Sequence, residues 1–219
     1  MTDSLEAEEL SNLLNHYLDE MAKIALEYDA TIDKYIGDAI LVFFGDPESR
    51  GVKEDANACV QMAIAMQRRM RELEQEWRDR GLERPLRIRI GINTGFCTVG
   101  NFGSQDRMYY TIIGNEVNLE SRLESSAELG GILMAHETYS LVKDVILAEE
   151  QPPLTVKGFD KPIHSYKVVG IYDDLAEEGR IVRHQKHGIQ VFLDPDKLTG
   201  EDRGEAIEAL KDALAKLEN

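Results

Sequence analysis

Thr31-Ile32-Asp33-Lys34-Tyr35-Ile36-Gly37-Asp38-Ala39-Ile40-Leu41-Val42-Phe43-Phe44 decides how this chain is read. Two β-rich runs, 31–36 and 39–44, flank Gly37-Asp38, and a glycine-led pair between such runs predicts a tight hairpin. Gly45-Asp46-Pro47 closes the second strand. On the N-terminal side the period is helical. Leu10, Leu13, Leu14, Tyr17, Leu18, Met21, Ile24 and Ala25 recur at three and four, and Asp3 with Glu6 forms a capping pair.

On the C-terminal side a long helix is predicted from Lys53 to Arg80, with Val60, Ala63, Gln67, Met70, Leu73 and Trp77 on its core stripe. Leu86, Ile88, Ile90 and Ile92 alternate as a half-buried strand. A return strand starts at Cys97, Gly100 to Asp106 reads as a loop, and Tyr109 to Ile113 reads as another strand. A helix from Glu116 to Ser126 ends before Gly130-Gly131. A strand at 132–134, a helix at 137–143 and a strand pair, 154–157 with 163–169, complete the pattern. Up to about Gly170 this predicts one α/β domain, of α+β type, with mixed, mostly antiparallel strands flanked by helices. Beyond it, 171–219 reads as an acidic linker at 172–179, a short strand at Ile189–Leu193 and an amphipathic helix at 203–217. That helix is expected to pack on its own domain.

Composition narrows the function. The 219 residues carry a formal net charge of −16, a field that repels nucleic-acid backbones and anionic lipid. Two cysteines, Cys59 and Cys97, cannot form a disulfide framework and point to a reducing compartment. No secretory leader and no membrane-length apolar run is visible, so a cytoplasmic chain is expected. There is no P-loop, dinucleotide fingerprint, calcium loop or zinc spacing.

What remains is Lys34 to Asp38 on the hairpin, and Tyr109-Tyr110-Thr111 followed by Asn118 and Arg122. A hairpin tip projects Asp38 clear of the sheet, where a carboxylate can hold a divalent cation. Asn118 and Arg122, four apart, share a helix face. An amide and a guanidinium there can grip a ribose and a phosphate. On spacing alone, a turn aspartate and a solvated helix arginine are the simpler reading of these residues.

Together the motifs resemble the catalytic domains of class III adenylate and guanylate cyclases. The string Ala30 to Pro47, then Arg89-Ile-Gly-Ile-Asn-Thr-Gly to Gly103, then Arg107 to Gly114 with Val117-Asn-Leu-Glu-Ser-Arg-Leu-Glu124, and Val156-Lys-Gly158 follow in that family's order. The resemblance covers about Leu5 to Val169, and it is nearest to bacterial domains that act as the C-terminal output of a sensor or membrane protein. It implies a ferredoxin-like domain that dimerises head to tail, as a homodimer or with another cyclase domain, with active sites between subunits. It also implies two divalent ions, magnesium or manganese, held by two aspartates, and conversion of ATP to 3′,5′-cyclic AMP and pyrophosphate. By the same resemblance Asp38 matches the second metal aspartate, and Asn118 and Arg122 match the groups that orient the ribose and stabilise the α-phosphoryl group. Lys157 matches a triphosphate contact, Lys34 the lysine that reads adenine, and Ile36 and Gly37 backbone beside the phosphates.

Two departures stand out. The family's opening strand, which bears the first metal aspartate, has no counterpart, and Asp3 belongs to a helix start. Ile189-Gln-Val-Phe-Leu-Asp194 has the alternation to fill that slot, as a lesser possibility. Tyr109 is placed where adenylate cyclases carry an aspartate that accepts from the adenine amino group, and Glu120 replaces a small residue between Asn118 and Arg122. Glu120 reads either as a solvated charge or as a repulsion of the triphosphate. Weak turnover by the chain alone, a non-catalytic half-site partner, and guanylate cyclase activity therefore stand as alternatives.

Overall fold

Helix α1 (Ala7–Glu27) forms because its leucines and methionines recur on one side while Glu and Lys take the other. The computed structural model describes residues 7–82, 85–155, 159 and 161–217. After α1, β1 (Thr31–Ile36) and β2 (Ala39–Phe43) form a two-stranded antiparallel sheet. Its turn is the two residues Gly37-Asp38, with Gly37 at φ +64°, a backbone that a first-position glycine of a type II′ turn adopts without strain. Helix α2 (Val52–Asp79) follows, then β3 (Ile90–Ile92), β4 (Thr98–Ser104), β5 (Arg107–Ile113), α3 (Asn115–Ser126), β6 (Ile132–Ala135), α4 (His136–Val142), β7 (Ile146–Leu154) and β8 (Ile163–Ile171).

Two helices make the floor on which the hairpin and β3 rest. Tyr17, Met21 and Ala25 of α1 interlock with Met62, Met66, Met70, Leu73 and Trp77 of α2, all buried. Ile32 and Val42 from the hairpin pack on that core, and so do Ile88 and Ile90. Gln67, the polar member of the stripe, is buried because its amide donates to the carbonyls of Ile88 and Gly131, at 3.1 and 3.3 Å.

The main sheet runs β3-β6-β8-β7, with β3 parallel to β6 and β6 antiparallel to β8; β4-β5 is a separate hairpin. Among the described residues β2 pairs only with β1, and β3 only with β6. Both therefore present an open edge while sharing one helical core. The expected long strand at 86–92 shortens to Ile90–Ile92, because Leu86 to Arg89 have no ladder partner.

Several expectations are corrected. Gly100 to Ser104 is strand, not loop: β4 continues to Ser104 against β5. There Gly103, at φ +149°, lets the chain cross so close to Arg107 that a Cβ would stand 2.0 Å from its carbonyl oxygen. The strand expected at 154–157 lies earlier, as β7, and carries Pro152 and Pro153, which an edge position tolerates; positions 156 and 157 lie outside the described residues. The segment read as an acidic linker holds α5 (Tyr172–Glu177), with Asp173 and Asp174 in the first turn, where the helix dipole favours them, and Leu175 buried.

Packing divides the chain into two compact units, Met1–Val169 and Gly170–Asn219. In the second, β9 (Val182–Lys186) pairs antiparallel with β10 (Ile189–Leu193) as a sheet of its own. Ile189–Leu193 thus does not fill the open edge beside β2 and β3; its hydrogen bonds are spent on β9. Helix α6 (Gly200–Leu217) has no buried residue, and Ile207, Leu210, Leu214 and Leu217 on it are exposed. No helix among the described residues is long and apolar enough to cross a membrane.

Candidate active site

The site is assembled by three neighbouring pieces: the β1–β2 hairpin, strand β5 and helix α3. At the hairpin, the register slips between Ile32 and Lys34, so Asp33 is a bulged residue. Consecutive strand residues ordinarily face opposite sides; the bulge brings the Asp33 carboxylate round beside Lys34. The Lys34 ammonium lies 3.3 Å from Asp33 Oδ2 and donates to Thr111 Oγ1 at 2.8 Å. The Thr111 hydroxyl donates in turn to Asp33 Oδ2 at 3.0 Å. Asp33's side chain is wholly buried, while that of Lys34 is 46% exposed. The lysine therefore leans out of a closed polar knot toward solvent.

Two residues beyond, Ile36 is exposed, and Asp38 is exposed at the turn. Asp38's charge reaches Tyr17 of α1, whose phenol is pushed up to about 12, first by burial and then by that carboxylate. Tyr109 does not join this group. It is half exposed, with the Arg107 guanidinium 4.9 Å above its ring. The β5 residue that meets Lys34 is Thr111, two positions further along the same face. Tyr110, on the opposite face, donates from its hydroxyl to the Asp46 carboxylate.

Strand β5 passes through Gly114 straight into α3, so Thr111 and Asn118 are separated by little more than one turn of chain. Leu119 and Leu123 are buried and fix the helix, leaving Asn118 and Arg122 on its exposed side. Neither side chain has a hydrogen-bond or ion-pair partner among the described residues, so both are free to engage a ligand. No hydrogen bond or ion pair joins them to the hairpin of the same protomer. Glu120 is tucked away rather than solvated. Its carboxyl is pushed up to about 7, chiefly by burial and then by Glu124, and its charge is felt by Cys59 of α2. Glu116, in the first turn, accepts from Asn93 Nδ2 at 2.7 Å and pins the helix start to the end of β3. Lys157 lies outside the described residues.

Thr111 and Asp33 were missed by sequence reasoning. Strand alternation puts Tyr109 and Thr111 on one face, so either can be aimed at Lys34, and the bulge that settles the choice has no sequence mark. For metal, the described residues form no group of three or more His, Cys, Asp or Glu. Asp38 offers one hard oxygen ligand, short of the carboxylate pair that two ions require. The described residues do not fit a two-ion centre, and no step below is routed through one.

The fold and site place the chain among nucleotide cyclase domains. The profile of the adenylate and guanylate cyclase catalytic domain matches residues 1–170, and the chain belongs to that family, whose members work as dimers and use divalent metal ions. More particularly, it is similar to the crystal structure of the adenylyl cyclase CyaB from P. aeruginosa, at 59% identity and TM-score 0.75 over 77% of this chain and 86% of that one. The guanylyl cyclase Cya2 is similar at 36% identity and TM-score 0.73, over 78% and 85%. Adenylate cyclase 1 of Rhizobium meliloti is 28% identical over 78% of this chain, which spans only 26% of that protein.

Proposed function

We propose that residues 1–170 form an adenylate cyclase domain that, as a head-to-tail dimer, converts ATP to 3′,5′-cyclic AMP and pyrophosphate. The observation that carries the substrate is the 2.8 Å contact between Lys34 and Thr111. Adenine presents a ring-nitrogen acceptor beside an amino donor, and an ammonium beside a hydroxyl matches that order; guanine presents the reverse. Thr111 takes the place first given to Tyr109. The resemblance to CyaB supports the same base, and the resemblance to Cya2 keeps GTP as the competitor to be tested.

In the reaction the ribose 3′-oxygen attacks the α-phosphorus in line. A 3′-O–P bond forms, the α–β bridging bond breaks with its electron pair leaving on pyrophosphate, and the hydroxyl proton passes to water. Asn118 of one protomer orients the ribose by its amide. Arg122 gives two parallel N–H bonds to the α-phosphoryl oxygens as charge gathers there. Backbone at Ile36 and Gly37 of the other protomer lies along the phosphates, Asp38 is a ligand for a cation, and Lys157 contacts the triphosphate. A divalent ion held by Asp38 together with a second carboxylate would supply neutralisation of the triphosphate charge. The exposed Ile36, Phe96, Met108, Tyr109 and Ile113 support a dimer, which would cover them.

In the whole protein this domain is a cytoplasmic output module under an upstream sensor or membrane part, with 171–219 as an appendage. The lone placed carboxylate favours a second reading, a half-site that lends Lys34, Asn118 and Arg122 to a partner cyclase. Incubating the 219-residue chain with manganese and either ATP or GTP separates these readings. Cyclic AMP in excess of cyclic GMP is expected; equal amounts or excess cyclic GMP overturns the adenine reading. No product from either, in a folded dimer, favours the half-site.

A further inference from the structure

The geometry points to Asp33 as a positioning residue that sets purine choice by fixing the proton of the Thr111 hydroxyl, an inference that rests on the adenine reading above. A threonine hydroxyl is by itself indifferent. It has one proton and two lone pairs, so it can accept from the amino group of adenine or donate to the carbonyl of guanine. Here its neighbours remove that freedom. The Lys34 ammonium has no acceptor and must donate, which occupies one lone pair at 2.8 Å. A carboxylate has no donor and must accept, so the single proton points to Asp33 Oδ2 at 3.0 Å. One lone pair is left for the base, and the hydroxyl can only accept.

Lys34 also lies 3.3 Å from Asp33 Oδ2, and its ammonium retains a further N–H for the base. The pair presented to a purine is then one donor and one acceptor in fixed order, matched by adenine and mismatched by guanine. The arrangement has little room to relax. Asp33's side chain is fully buried, the bulge holds it on the lysine's face, and its Oδ1 is buried without a hydrogen-bond partner. Such a carboxylate is costly to keep, and one hydrogen bond from Thr111 and one ion pair with Lys34 at its other oxygen are the return that the structure shows.

Asp33→Asn removes the restriction while keeping the shape. An amide can donate as well as accept, so the Thr111 proton becomes free to turn to guanine. The test measures calorimetric binding of 3′-deoxy-ATP and 3′-deoxy-GTP, which cannot cyclise, to the 219-residue chain. The unaltered protein should favour the adenine nucleotide by about tenfold or more, and Asp33→Asn should erase most of that ratio. Thr111→Val should erase it too, and adding Asp33→Asn to Thr111→Val should change the ratio no further. If Asp33→Asn weakens both nucleotides equally, or leaves the ratio alone, Asp33 only supports the fold and the inference fails while the adenine reading stands. Should the aspartate variant not fold, Thr111→Val with an unchanged ratio overturns the inference as well. No preference in the unaltered protein overturns both.

Discussion

Gly91 of β3 lies against the backbone of α3 at Glu120: a Cβ there would stand 2.4 Å from the Glu120 carbonyl oxygen and 2.4 Å from the Glu124 nitrogen. Both obstacles are main chain, so no side chain can swing aside. The contact sets the depth at which α3, and with it Asn118 and Arg122, rides on the sheet. Gly91→Ala is expected to cost about 1–3 kcal/mol of stability through overpacking. Urea denaturation checks that figure. Because the helix must lift, cyclic AMP formation should fall more steeply than nucleotide affinity, and an unaffected rate would show that α3 need not sit so deep.

Glu120 yields a pH prediction with a definite sign. Its folded-state acidity is weakened from the ordinary 4.5 to about 7, by burial first and Glu124 second. Between those values the folded chain holds a proton that the unfolded chain has released, so stability falls as pH rises through the window and levels off above about 7. The full swing is on the order of 3 kcal/mol. Glu120→Gln should flatten that slope and stabilise the protein at pH 8. Denaturation midpoints from pH 5 to pH 8 read this directly; a midpoint that climbs over that range in the unaltered chain but not in the variant contradicts it.

Arg122 and Asn118 face outward and have no side-chain partner among the described residues, so truncating them removes chemistry rather than packing. Arg122→Ala should lower turnover by about 10²–10³ with an unchanged melting temperature. In a head-to-tail dimer, Asp38→Asn and Arg122→Ala each spoil both sites. Mixing the two inactive variants makes some dimers with one intact site, restoring about a quarter of normal activity at random assortment. Failure to restore anything, with exchange of subunits verified, would mean that the two residues act within one protomer.

The helices and the hairpin were legible because they rest on local rules. The 3.6 period of α1 and α2, the Gly37 turn and the alternation of β5 each act within a few residues. What the sequence concealed depends on tertiary partners. Leu86 and Ile88 alternate like strand residues, yet only Ile90–Ile92 has a neighbour to pair with. Two prolines hid the true extent of β7, which survives as an edge. The resemblance puts Tyr109 beside the base, but it lies on one face of β5 with Thr111, and only the contact made by Lys34 shows which of them it meets. Glu120 reads from the sequence as a solvated charge or a repulsion of the triphosphate, whereas the tight seat of α3 at Gly91 encloses it.

Val42 of β2 and Ile90 of β3 rest on the same helical core, but their strands pair outward, away from each other: β2 with β1, β3 with β6. Inner-edge backbone donors and acceptors left in this way are unsatisfied by the sheet, and an added strand would satisfy both edges at once. The family's opening strand also bears an aspartate, which would supply a second carboxylate beside Asp38. Fusing a Phe-x-Asp-Ile-x-Gly-Phe-Thr strand to the N-terminus should therefore raise manganese-supported turnover by about a hundredfold or more. Amide exchange should slow at 40–42 and at 90–92 together, since one strand covers both. Replacing the added aspartate by asparagine should keep the slower exchange and lose the turnover. Equal turnover with and without the strand would show that the metal site is completed by other groups, and unchanged exchange would show that the two edges do not share a slot.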